Sequence, residues 1–206
     1  FCSNRMRGAW SDIFRISAEK TGGVAVIRQT GSGANLYPSV AEDGTLVFHY
    51  LPIYPGGMRG TPQIWTLGGA SQYPTQLREG TMPAISPDGS HIAFIGTDRQ
   101  LWVCPTSGQN PIQLTNGDVY IAGRLNPSWS PDGETVVFAS DEGLDGDKKR
   151  NYDIWMVRRD GTGLRQLTTN GSLDEFPIVS PDGEYIYFVS NRGFREGIWR
   201  IPFPTP

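Results

Sequence analysis

One phrase recurs along this chain. "TMPAISPDGSHIAFIGTD" from Thr81, "NPSWSPDGETVVFASD" from Asn126 and "FPIVSPDGEYIYFVSN" from Phe176 are variants of it, and "LYPSVAEDGTLVFHYL" from Leu36 is a weaker copy. Their prolines, Pro38, Pro83, Pro127 and Pro177, are spaced 45, 44 and 50 residues apart. A hairpin written once is local structure. Written at a period of roughly 40–50 residues, it predicts a propeller in which each repeat is one four-stranded blade.

The second half of the unit repeats as well. A hydrophobic-aromatic pair follows each hairpin: Ile13-Phe14, Ile64-Trp65, Leu101-Trp102, Ile154-Trp155 and Ile198-Trp199. A glycine-bearing turn and a Gln-Leu pair come next, at Gln76-Leu77, Gln113-Leu114 and Gln166-Leu167. The unit therefore reads as strand A, a Ser-Pro-Asp-Gly turn, strand B, a variable loop, strand C with its Trp, a turn, and strand D. Proline presets φ for the turn, Asp bonds back to the local backbone, and Gly suits the fourth position. Strand B alternates, with Val136 and Phe138 on one face, Thr135 and Val137 on the other, and Ile186 and Phe188 in the matching slots. No helical stripe runs through the chain, so the fold class is all-β with antiparallel blades. A β-sandwich is the bland alternative, but a sandwich does not need its turn copied at one period. Phe48, Phe94, Phe138 and Phe188 are expected in the core, and Trp65, Trp102, Trp155 and Trp199 are expected to be mostly buried.

The expected blades are 1–33 (partial), 34–79, 80–118, 119–172 and 173–206, all within one domain. "FCSNRMRGAWSDIFRI" aligns with residues 188–201, so Phe1 takes the slot of Phe188 and the first blade lacks strand A. "PFPTP" is a poor strand D for the last blade. The chain thus reads as a slice of a six- or seven-bladed propeller, or as a five-bladed ring closed by a borrowed edge strand. In either case further chain segments are needed to hide the sheet edges.

The net charge of −3 and the single basic run, Lys148-Lys149-Arg150, argue against nucleic acid. The apolar runs are strand-sized, so no membrane insertion is expected. Cys2 and Cys104 fall on distant strands and read as two free thiols.

"PSWSPDGETVVFASD…YDIWMVRRDGTGLRQLT" resembles the WD40-like repeat of TolB-type β-propellers, and the resemblance spans essentially the whole chain. It is weakest over residues 15–80, where "VAEDG" replaces "SPDG". It implies a periplasmic or extracellular propeller that binds another protein or an extracellular polymer. It also allows an accessory propeller of a prolyl oligopeptidase-like peptidase or a polysaccharide lyase, with the catalytic residues outside this chain. A carbohydrate-binding propeller is a third reading, although only Trp10 lies away from repeat positions.

No G-x-S-x-G elbow occurs, and His49 and His91 are isolated, so no catalytic residue is assigned. Asp141, Asp145 and Asp147 bracket glycines in a manner that suits Ca²⁺, but the terminal Glu of such a loop is missing. The expectation is a solvated acidic loop, with no metal or cofactor residue. Two binding candidates remain. The segment 50–63 carries Tyr50, Leu51, Ile53, Tyr54 and Met58, as interface anchors or as satellite core. Asn35, Gly80, Asn126, Asp174 and Glu175 precede strand A and are expected at one channel mouth, to hold a partner or to satisfy backbone and water.

Overall fold

The protein is described by a computed structural model covering residues 2–3, 12–16, 23–27, 33–68, 71–117, 126–140, 151–193 and 195–204. The acidic residues Asp141, Asp145 and Asp147, and also Trp10, lie outside the described residues. The described residues form five antiparallel sheets and no helix. The first sheet holds β1 (Cys2–Ser3), β2 (Asp12–Ile16) and β3 (Gly23–Ile27). The second holds β4 (Gly33–Val40), β5 (Leu46–Pro52), β6 (Gln63–Gly68) and β7 (Ser71–Glu79). The third holds β8 (Thr81–Ile85), β9 (His91–Ile95), β10 (Leu101–Pro105) and β11 (Ile112–Gln113). The fourth holds β12 (Ser128–Trp129), β13 (Thr135–Ser140), β14 (Asp153–Arg158) and β15 (Arg165–Gln166). The fifth holds β16 (Asp174–Val179), β17 (Tyr185–Ser190) and β18 (Gly197–Pro202). Strands pair in chain order within every sheet, and the first strands β4, β8, β12 and β16 touch in sequence. That is the inner ring of a β-propeller.

The A–B turn explains its own sequence. Gly89, Gly133 and Gly183 return their amides to the Ser86, Ser130 and Ser180 carbonyls at 2.9 Å, with φ of +74°, +70° and +72° that favours glycine. Each serine hydroxyl bonds the turn aspartate, Asp88, Asp132 or Asp182. It also accepts the amide that opens strand B, from His91, Thr135 or Tyr185. Ala41 replaces the serine in the second sheet, and Asp43 instead takes the Thr45 amide and hydroxyl.

Strand B carries the packing between sheets. Phe48, Phe94, Phe138 and Phe188 are at most 2% exposed. Phe48 packs with Ile13, Phe94 with Val47 and Ile64, Phe138 with Ala84 and Val103, and Phe188 with Val137 and Ile154. Each phenylalanine thus faces the preceding sheet. The fourth sheet is buried on both faces, Val136 and Phe138 in one cluster and Val137 and Ala139 in the next, as period-2 alternation requires.

Three of the four strand-C tryptophans are mostly buried, as expected, and Trp199 departs from expectation. Trp155 is buried and Trp65 and Trp102 are half-buried, but Trp199 is 42% exposed. Among the described residues β18 has no strand on its outer edge, and the Arg192 guanidinium lies 5.2 Å from the centre of that indole.

The residue before the strand-A proline takes a conformation that the repeat alone does not show. Tyr37, Met82 and Phe176, each just before that proline, have φ of +50°, +51° and +54°. Each marks a β-bulge, and the A–B register slips there in all three sheets. Left-handed conformations are uncommon for such side chains. The bulge bends strand A and sets apart its first residues, among them Asn35 and Asp174.

Candidate functional site

The start of strand A, the end of strand B and the start of strand C lie at one end of each sheet, because the register pairs Asn35 with Tyr50 and Tyr50 with Gln63. Both binding candidates sit at this end.

The segment 50–63 is a hairpin rather than a loop. Tyr50 and Leu51 belong to β5, so that part of the loop expectation is corrected. Beyond Pro52 an Ile53–Arg59 bridge continues the pairing, and the tip closes with Tyr54 N–H to Met58 O at 2.8 Å and Gly57 N–H to Tyr54 O at 3.0 Å. The hydrophobic set divides in two. Tyr50 packs edge-on against Trp65, with centroids 5.6 Å apart, and presses on Gly33 so closely that a Cβ there would lie 2.3 Å from its ring. Leu51 and Ile53 are half-buried. Only Tyr54 and Met58, 54% and 67% exposed, project into solvent.

The channel-mouth residues differ among themselves. Asp174 is fully buried and accepts bonds from Ser190 Oγ at 2.6 Å, Asn170 Nδ2 at 2.9 Å and Arg192 at 2.5 Å. Its neighbour Glu175 is half-buried, and burial, reinforced by Glu196, raises its carboxyl above the ordinary range. Asn35 is also fully buried, yet both of its amide polar atoms lack a hydrogen-bond partner. Asn126 stands at the pre-proline position of Tyr37, Met82 and Phe176, two residues further along the unit than Asn35 and Asp174. Its grouping with them is corrected accordingly. It is half-buried, with Oδ1 unpartnered.

Several polar residues at this end carry no obvious signal in isolation. Asp153 accepts bonds from Asn151 at 2.8 Å, Gln166 at 3.0 Å and Thr168 at 3.1 Å. Burial raises its carboxyl and nearby Asp174 adds to the rise, while Thr168, Gln166 and Arg192 oppose it. Gln100 takes the corresponding place in the third sheet and accepts from Thr115 Oγ1 at 2.7 Å. His49 Nδ1 lies 2.8 Å from Thr81 Oγ1, its ring stacks on Tyr37, and burial lowers its pKa to about 4. Such a histidine is a neutral structural group at physiological pH. Among the described residues no three of His, Cys, Asp and Glu gather in a metal-binding group, and Cys104 is a buried thiol whose pKa burial raises.

Comparison with known proteins gives the fold a class. No family model matches the chain. A TolB homologue of Chlorobium luteolum is 35% identical over 133 residues, which is 61% of this chain and 27% of that protein. An uncharacterised peptidase of Bacillus subtilis, YuxL, is 29% identical over 169 residues, 64% of this chain and 25% of that protein. The crystal structure of TolB from Acinetobacter baumannii superposes with a TM-score of 0.72 at 17% identity, covering 94% of this chain and 46% of that one. The fold is a TolB-like β-propeller. The chain spans about a quarter of the length of the two relatives it matches here.

Proposed function

We propose that this chain is a non-catalytic propeller scaffold that binds another protein, or an extracellular polymer, through the end bearing Tyr54 and Met58. The observation that carries the reading is the 53–59 hairpin tip. It holds an exposed aromatic ring and a thioether on a hydrogen-bonded extension of β5 and β6, and such anchors dominate binding interfaces. In the fourth and fifth sheets the buried carboxylates are engaged in structure: Asp174 with Ser190 and Arg192, Asp153 with Thr168 and Gln166. The likeness to TolB supports the scaffold reading and a periplasmic or extracellular setting. A photo-crosslinking residue at position 54 tests it in extracts of the source cells. A discrete adduct is expected from position 54 and none from position 112, which is exposed on the outer strand β11. Equal labelling from both positions argues against the hairpin as the binding element.

The likeness to a peptidase favours a second reading, an accessory propeller beside a hydrolase domain. Sequencing the complete reading frame separates the two, since a fused α/β-hydrolase domain selects the second.

A further inference from the structure

Thr135, Met156, Arg158 and Arg165 share one face of the fourth sheet. Thr135 lies opposite Arg158 and Met156 opposite Arg165, and residues two apart on a strand, such as Met156 and Arg158, point the same way. That face looks toward the fifth sheet, where Met156 packs in one cluster with Ile186 and Phe188. At the end that carries the A–B turns it borders a cleft of about 570 Å³. Phe203 lines the same cleft from the fifth sheet, held by its N–H to the Glu184 carbonyl at 2.8 Å. This is the opposite end of the sheets from the Tyr54–Met58 hairpin, since strand B starts at the A–B turn and runs toward the hairpin end.

Neither the second nor the third sheet repeats the two arginines. Pro105 and Gly68 follow Trp102 and Trp65 by three residues, as Arg158 follows Trp155. Ile112 lies opposite Val103 and Thr75 opposite Thr66, as Arg165 lies opposite Met156. The blade therefore folds without a basic residue at either place. The carboxylates around the cleft are already committed. Asp132 accepts from the Ser130 hydroxyl and the Glu134 amide, Asp182 accepts from the Ser180 hydroxyl and the Glu184 amide, and Glu134 pairs with Arg159 at 2.9 Å. Among the described residues neither Arg158 nor Arg165 has a carboxylate within ion-pair distance. Arg158 acts on Asp132 and Asp160 only through its longer-range field, and Arg165 donates Nε–H to the Met156 sulfur at 3.3 Å.

We propose that this cleft binds an acidic peptide segment, in which a side-chain carboxylate bridges Arg158 and Arg165 and a neighbouring apolar side chain packs on Met156 and Phe203. A guanidinium fork matches a carboxylate with two parallel hydrogen bonds, and the pair is stronger beside apolar walls than in open water. The thioether and the aromatic ring give the apolar neighbour its contact surface. An acidic sugar brings the charge but no apolar side chain for that surface, so the combination of groups favours a peptide. The proposal stands apart from the hairpin, because the two surfaces lie at opposite ends of the sheets.

The test pans phage-displayed random short peptides on the 206-residue chain. The selected peptides are expected to carry Asp or Glu beside a large apolar residue, and to bind an Arg158→Gln/Arg165→Gln double variant at least about tenfold more weakly. Arg158→Lys/Arg165→Lys keeps the charge without the fork and is expected to retain part of the affinity. Both arginines are exposed, so the urea midpoints of the two double variants are expected to match the parent's. Serine in place of the apolar neighbour in a selected peptide is expected to weaken binding as well. A selection without acidic peptides, or acidic peptides that bind the glutamine variant as tightly as the parent, overturns the proposal. Displacement of a selected peptide by oligogalacturonate at a lower concentration than by the unlabelled peptide also overturns it, by assigning the cleft to an acidic sugar.

Discussion

Arg192 places its guanidinium 2.5 Å from the carboxylate of Asp174, and that carboxylate has no exposed surface. The same guanidinium lies 5.1 Å from the Phe188 ring centre and 5.2 Å from that of Trp199. One side chain therefore neutralises a buried charge at the channel end and covers the aromatic pair of the fifth sheet. Arg192→Ala leaves the carboxylate with only Ser190 and Asn170. We expect a loss of about 3 kcal/mol in urea unfolding, the lower end for breaking a buried ion pair. Arg192→Lys restores the charge but not the planar stacking, and is expected to recover only part of that loss.

The strand-B phenylalanines give the second expectation. Phe138 is 0% exposed at the junction of the third and fourth sheets, so Phe138→Ala is expected to cost about 3–5 kcal/mol. Trp199→Ala, at a partly open edge, is expected to cost about 1 kcal/mol or less. Chemical denaturation of the two variants checks the contrast. Equal losses mean that the assignment of faces is wrong.

Asp88 supplies an acid-side prediction. The Ser86 hydroxyl, then the Ser90 amide and hydroxyl, hold its carboxyl down from the ordinary 3.8 to about 2. A group depressed in the folded state stabilises the fold above its unfolded value, and that contribution is lost as pH falls from about 4 to about 2. A carboxyl-detected NMR titration is expected to place the Asp88 midpoint near 2, and Ser86→Ala is expected to raise it. A midpoint near 4 in the parent chain contradicts the turn network.

His49 acts in the same direction but at higher pH. Burial lowers its pKa from 6.5 to about 4, so the unfolded chain binds the proton first and stability falls as pH drops from about 6.5 to about 4. The full effect is roughly 3 kcal/mol, since each tenfold loss of proton affinity on folding corresponds to about 1.4 kcal/mol. His49→Leu is expected to flatten the stability profile across that window, measured by urea midpoints at stepped pH. A slope unchanged in the variant assigns the acid sensitivity elsewhere.

The blade was legible in the sequence because its signals are local. A proline–aspartate–glycine turn and a period-2 strand each announce themselves within a few residues, and their recurrence gave the architecture. The features that stayed hidden depend on two strands at once. The left-handed residues Tyr37, Met82 and Phe176 exist because strand A slips against strand B, and nothing in "Tyr-Pro", "Met-Pro" or "Phe-Pro" alone requires it. Gln-Leu-Thr was visible as a marker, but the service of Thr115 and Thr168 to strand C emerges only from their hydrogen bonds. Asn126 shares a neighbouring proline with the other repeats but sits two residues later in the unit than Asn35 and Asp174, so the proline alone does not place it among them. Trp199 was expected to be buried on the strength of its repeat position, and exposure is a property of neighbours rather than of position.

On the proposed function, Tyr54 and Met58 meet a partner without helping to hold the fold. The direct measurement pairs unfolding stability with the yield of crosslinked adduct in a Tyr54→Ser/Met58→Ser double variant, with the crosslinker moved to the adjacent exposed position 55. Stability within about 0.5 kcal/mol of the parent, as for exposed substitutions, is expected together with loss of the adduct. An adduct of undiminished yield in a fully folded double variant contradicts it.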